Sequence, residues 1–213
     1  MARPGVLLAA AALAASPVAL HFLTVIDAAR PLAVALSWGG AALLAIALGR
    51  AAGVAVAEGV AVAASLGLAL YLGAGTRYAV FLPSLAVNLL LAWFFGRTLV
   101  GGRLPLVTSI ARIVRGEDPM APELERYTRQ VTVAWCLFFL AMTAISAALA
   151  AFAPLAAWSL FANVLAMPLV VAMFAAEYAY RRRRLAGFPH VPPLAVLRRL
   201  AAAGFAFVRT TAK

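Results

Sequence analysis

Between Val6 and Tyr180 the chain passes through six apolar runs, and the last ends directly in Arg181-Arg182-Arg183-Arg184. The runs are Val6 to Ile26, Leu32 to Leu48, Val54 to Leu72, Tyr78 to Phe95, Val131 to Ala153 and Ala157 to Tyr180. About 20 mainly apolar residues cross the hydrocarbon core as an α-helix. Backbone polar groups in lipid must bond within their own segment, so runs of this kind become helices. A β-barrel would instead alternate polar and apolar residues in strands of about ten. Of the 213 residues, 66% are hydrophobic and only 12% are charged. A soluble domain carries about a quarter charged residues, so lipid must be the solvent for much of this surface. The sequence therefore predicts an all-α polytopic membrane protein. Residues 1–180 form a six-helix transmembrane domain with a long cytoplasmic loop at 96–130, and residues 181–213 form a basic cytoplasmic tail.

Charge orients the spans. Cytoplasmic loops collect Arg and Lys. With both termini inside, only Arg30 and Arg77 of the 18 basic residues face outward. The formal charge of +11 is then a topology signal and not a nucleic-acid footprint. Aromatic side chains suit the same frame: Tyr71, Tyr78 and Trp158 fall at outer ends, Trp93, Tyr178 and Tyr180 at inner ends. The first run begins like a signal peptide, with Arg3 before alanine and leucine. It continues to Ile26, a full span, and is expected to stay as a helix. Pro17, Pro83 and Pro168 are expected to kink their helices.

The long loop is the richest segment. Pro105 suits a first helical position. From there Leu106, Val107, Ile110, Ile113 and Val114 share one face, with Arg112 and Arg115 opposite. That pattern predicts a short helix in the inner interface, its arginines on anionic headgroups; a solvated connector is the competing reading. Gly116 and Pro119 end it. Pro122, Glu123 and Glu125 open a new helix that runs through Arg126, Tyr127 and Arg129 into the fifth span. Glu125 and Arg129 have i,i+4 spacing. After Pro192-Pro193, a second amphipathic stretch places Val196, Leu197, Leu200, Phe207 and Val208 opposite Arg198, Arg199 and Arg209, again a membrane-surface pattern. Anionic phospholipids are the expected partner. Arg97, Arg112, Arg115, Arg126, Arg129 and Arg181 to Arg184 are the candidate lipid- or partner-binding residues.

Polar residues inside the runs are few. Glu58 lies one turn into the third run; it either snorkels to the surface or lines a proton or ligand path. Asn88 and Asn163 are expected to bridge helices by hydrogen bonds. Glu177 precedes Arg181 by four residues and is expected to pair with it, with a functional acid as the alternative. His21 has no partner at useful spacing and reads as structural. Cys136 reads as a packing thiol. His190 lies in a Pro-rich linker. No nucleophile elbow, metal motif or phosphate loop occurs. The sequence names no catalytic residue, no metal and no cofactor.

Phe94-Phe95-Gly96-Arg97-Thr98-Leu99, Pro105-Leu106-Val107, Ile110-Ala111-Arg112, Tyr127-Thr128-Arg129, Val131-Thr132 and Trp135 with Phe138-Phe139 carry a likeness. So do Ser159-Leu160-Phe161-Ala162-Asn163 and Glu177-Tyr178 through Arg184. Together they resemble an uncharacterised bacterial inner-membrane family found with aryl polyene and xanthomonadin-type pigment biosynthesis proteins. The same half is similar to the intracellular septation protein A family, with its Phe-Gly-basic segment and arginine-rich entry to a Trp-x-x-Phe-Phe span. The likeness covers roughly residues 90–200. It implies envelope biogenesis in a bacterial inner membrane and a partner role, and it transfers no active site. Three readings follow. The leading one is a non-catalytic inner-membrane component of envelope-lipid or pigment synthesis that recruits pathway enzymes, other envelope proteins or lipids at the cytoplasmic face. The others are a small transporter or flippase-like protein with Glu58, Asn88, Asn163 and Glu177 along a path, and an enzyme acting on acyl chains.

Overall fold

A computed structural model describes residues 4–52, 76–116 and 120–184. The third apolar run with Glu58, and the tail with His190, Arg198, Arg199 and Arg209, lie outside the described residues. The regular structure of the described residues is all helical, without strands. Its elements are α1 Pro4–Val25, α2 Arg30–Ala52, α3 Thr76–Gly96, α4 Leu106–Arg115, α5 Pro122–Phe152 and α6 Leu155–Arg184. Among the described residues, four segments are long and apolar enough to cross a membrane: Asp27–Gly49, Ala79–Gly96, Pro122–Phe152 and Leu155–Arg184. A shorter apolar segment, Ala15–Val25, lies in α1.

Local chemistry sets the boundaries. Pro122 opens α5 and Glu123 and Glu125 occupy its first turn, where acidic groups meet the positive end of the helix dipole. Pro154 separates α5 from α6. Gly116 ends α4 in the left-handed conformation at φ 70°, its N–H on the Arg112 carbonyl, a conformation glycine adopts without steric penalty. Pro105 sits one position earlier than the sequence suggests. Its ψ of 142° is extended, so it precedes α4 as the cap residue instead of opening it.

α6 is one rod with an irregularity. Leu160–Leu165 is π-helical, between a regular turn at Leu155–Ser159 and the regular length Ala166–Arg184. Pro168 has no N–H to give the carbonyl four residues back, so the ladder is already broken beside this stretch.

The helices pack chiefly as α3 against α5, α2 against α3, and α4 against α5. Two cores result. One gathers Ala92, Leu124, Tyr127, Val131, Trp135 and Phe139 where α3 meets α5. Another gathers Val34, Ala79, Val80, Phe81 and Trp158, from α2, the far end of α3 and the start of α6. Close approach of α3 to α5 depends on Gly96, where an added Cβ would lie 3.2 Å from the Cys136 Sγ. The outer faces stay apolar: Leu43, Leu137, Phe152, Met167 and Phe174 are all exposed. Water would penalise such a surface; hydrocarbon does not.

Candidate functional site

The bundle has an arginine-bearing end and an opposite end, and each holds a polar cluster. At the arginine-bearing end, α3 closes in Trp93-Phe94-Phe95-Gly96. The chain then turns through Gly101 and Gly102, both at φ 69°, to reach Pro105. The first N–H groups of α4 need acceptors, and Pro105 has no side-chain acceptor. Two threonines from elsewhere supply them. Leu106 N–H donates to Thr98 Oγ1 at 3.0 Å, and Val107 N–H donates to Thr132 Oγ1 at 3.2 Å. Thr98 and Thr132 in turn donate to the Phe95 and Thr128 carbonyls at 2.7 and 2.9 Å. Thr108 and Thr128 hydroxyls meet at 2.7 Å.

This seam corrects the sequence reading of α4. Its buried residues are Leu106, Thr108, Ser109 and Val114, while Val107, Ile110 and Ile113 are only half-buried. The hydroxyl face turns inward because α5 presents Thr128 and Thr132 to meet it. A second correction concerns charge. Glu125 takes Arg112, at 2.5 Å, and not Arg129. The Arg129 Nη2 donates instead to the Leu99 carbonyl at 3.2 Å. Arg97 lies 5.0 Å from the Trp93 ring centroid. Burial and the nearby Arg103 lower its pKa, which still leaves a guanidinium charged at neutral pH. Arg126, Arg182, Arg183 and Arg184 are exposed.

Beside the seam, α4, α5 and the end of α6 enclose a cleft of about 90 Å³. Ile110, Val114 and Leu124 form apolar walls. Arg115, Tyr127, Thr128, Glu177 and Arg181 supply its polar groups. The Tyr127 hydroxyl donates to Glu177 Oε1 at 2.8 Å. Arg181 pairs with the same oxygen at 3.7 Å, the i,i+4 pair expected from the sequence. Arg181 also lies 5.4 Å from the Tyr178 ring, and Tyr127 stacks on Tyr180 at 6.2 Å.

At the opposite end the π-helical stretch brings Ser159 and Asn163 toward α1. Asn163 Nδ2 donates to Ser159 Oγ at 2.9 Å and reaches Thr24 Oγ1 at 3.5 Å. Ser159, fully buried, hydrogen-bonds His21 Nδ1 at 3.0 Å. His21 thus has a partner 138 residues away, which no spacing rule finds. Thr24 donates to the Leu20 carbonyl at 2.7 Å. Arg30 pairs with Asp27 and its Nε donates to the Thr24 carbonyl at 3.2 Å. Nearby, Trp158 donates to Ser146 Oγ at 2.9 Å and packs edge-on against Phe81 at 4.7 Å.

Asn163 therefore bridges helices as the sequence predicts. Asn88 does not: its Nδ2 donates to the Ser84 carbonyl at 2.9 Å, within its own helix. Cys136 Sγ contacts the Ala92 carbonyl at 3.4 Å, a packing role. Among the described residues no three His, Cys, Asp or Glu side chains gather into a metal-sized group. Comparison with protein-family models, with curated proteins and with solved structures finds no match to the chain.

Proposed function

We propose that this chain is a six-span bacterial inner-membrane protein with both termini in the cytoplasm, and that it acts there as a non-catalytic component of envelope-lipid or aryl polyene-type pigment synthesis. In this reading α4 lies at the inner interface, and the arginine-bearing end gathers anionic phospholipid and pathway partners. The carrying observation is how the cations are held. Arg112 is held by Glu125, Arg129 by the Leu99 carbonyl and Arg181 by Glu177, all at the same end of the bundle. A guanidinium is planar with five donors in a fixed fork, so a group of them favours oxygen-rich anions such as phosphates.

The transport reading draws less support. Asn88 and Asn163 each have their own partners, and neither shares one with Glu177. Reporter fusions after residues 115 and 213 test the topology; both must report the cytoplasmic face. Deletion of the gene with lipid and pigment profiling tests the role. An unchanged envelope would end the pathway reading.

A further inference from the structure

We infer that the cleft between α4, α5 and α6 is a binding site for one anionic glycerophospholipid, its phosphate held between Arg115 and Arg181. The inference rests on reading this end of the bundle as the inner membrane face, and it goes beyond a diffuse attraction of lipid. Three observations carry it. The first is charge. Arg115 and Arg181 line the cleft with Glu177 as its one carboxylate, so its formal balance is positive. Glu177 Oε1 receives the Tyr127 hydroxyl at 2.8 Å and faces Arg181 Nε at 3.7 Å, one contact on a guanidinium that carries five donors. Charge-assisted bonds from guanidinium to phosphate oxygens are short, strong and often bidentate.

The second is shape. About 90 Å³ is well below the roughly 300 Å³ at which drug-sized ligand cavities begin. The cleft takes a headgroup and its first carbons, not two acyl chains. Ile110, Val114 and Leu124 give those carbons an apolar seat, which a free phosphate would not use. The third is placement. The cleft lies where α6 ends, and along α6 Val171 and Phe174 are exposed. Acyl chains leaving the cleft would run down that apolar flank.

The test uses the full chain in an uncharged detergent, titrated with short-chain phosphatidylglycerol, phosphatidylcholine of equal chain length, and glycerol phosphate. Thermal unfolding and native mass spectrometry read binding. The expected result is one tightly held phosphatidylglycerol per chain. Phosphatidylcholine, whose trimethylammonium brings a cation to a cleft of positive balance, and glycerol phosphate, which lacks the carbons for the apolar seat, should each bind at least about tenfold more weakly. R115Q and R181Q should each weaken phosphatidylglycerol binding by about tenfold or more. A111F fills the cleft without changing charge and should do the same, so the inference stays testable should an arginine variant misfold. R103Q alters an exposed cation outside the cleft and should change nothing. Equal losses in R103Q and R115Q, or full binding by A111F, would overturn the cleft site while leaving the inner-face reading intact. Glycerol phosphate binding as tightly as the lipid would overturn the lipid occupant. Reporter fusions on opposite faces would instead remove the topology on which both stand.

Discussion

The two ends of this bundle use hydroxyl groups differently. At the arginine-bearing end, Thr98 and Thr132 bond backbone on both sides, taking the N–H of Leu106 and Val107 and donating to carbonyls. At the opposite end, Ser159 and Ser146 bond side chains: His21 of α1 and Asn163 of its own helix for one, Trp158 of α6 for the other. The first arrangement meets a demand that is local and unavoidable, because a helix start without donors' partners is penalised wherever it lies. The second meets a demand of assembly. In lipid, helices gain little by hiding apolar surface from one another, so α1 needs polar contacts to hold it against α6. One end is therefore a rigid platform that presents charge, and the other is a clasp between helices.

That contrast can be broken experimentally. The largest effect belongs to Trp158→Ala, which removes the Phe81 edge contact and the Ser146 bond at once. The expected loss is about 3 kcal/mol, the low end for a buried aromatic, read by denaturant titration in detergent. Thr132→Val keeps the volume of a fully buried side chain but leaves the Val107 N–H without its acceptor; about 2 kcal/mol is expected. Ser159→Ala should lose about 1 kcal/mol, since Asn163 retains Thr24 as a partner. A larger loss at Ser159 than at Thr132 would contradict the division into platform and clasp.

Smaller effects sharpen the picture. Gly96→Ala pushes a methyl to 3.2 Å from Cys136 Sγ, so about 1 kcal/mol of overpacking is expected. Adding Cys136→Ala should recover most of it, and a cycle with no coupling would show that α3 and α5 do not meet there. Arg112→Gln should change stability least, by about 0.5 kcal/mol, because its pair with Glu125 is 24% and 36% exposed and surface pairs contribute little. Loss of that difference in high salt is the accompanying check.

Much of the scaffold was legible in the residues. The apolar runs at Leu32, Tyr78, Val131 and Ala157 each became a helix, and Gly116, Pro122 and Pro154 punctuate the chain as their backbone chemistry requires. The Glu177–Arg181 pair also followed from spacing, because both residues sit on one helix. Where the reading failed, the reason was non-local. His21 looked partnerless because Ser159 approaches it only when α6 packs on α1. Glu125 looked committed to Arg129 because the geometry that offers Arg112 exists only once α4 folds back on α5. Asn88 was read as a bridge, yet it finds its own helix carbonyl first.

Apolar length and backbone hydrogen bonding act residue by residue, so the sequence by itself determined that these segments are helices fit for lipid and where they stop. Which face of each helix meets which neighbour depends on the whole bundle closing together. That alone turned Thr108 inward against Thr128, joined Ser159 to His21, and set Arg115, Tyr127, Glu177 and Arg181 around one cleft.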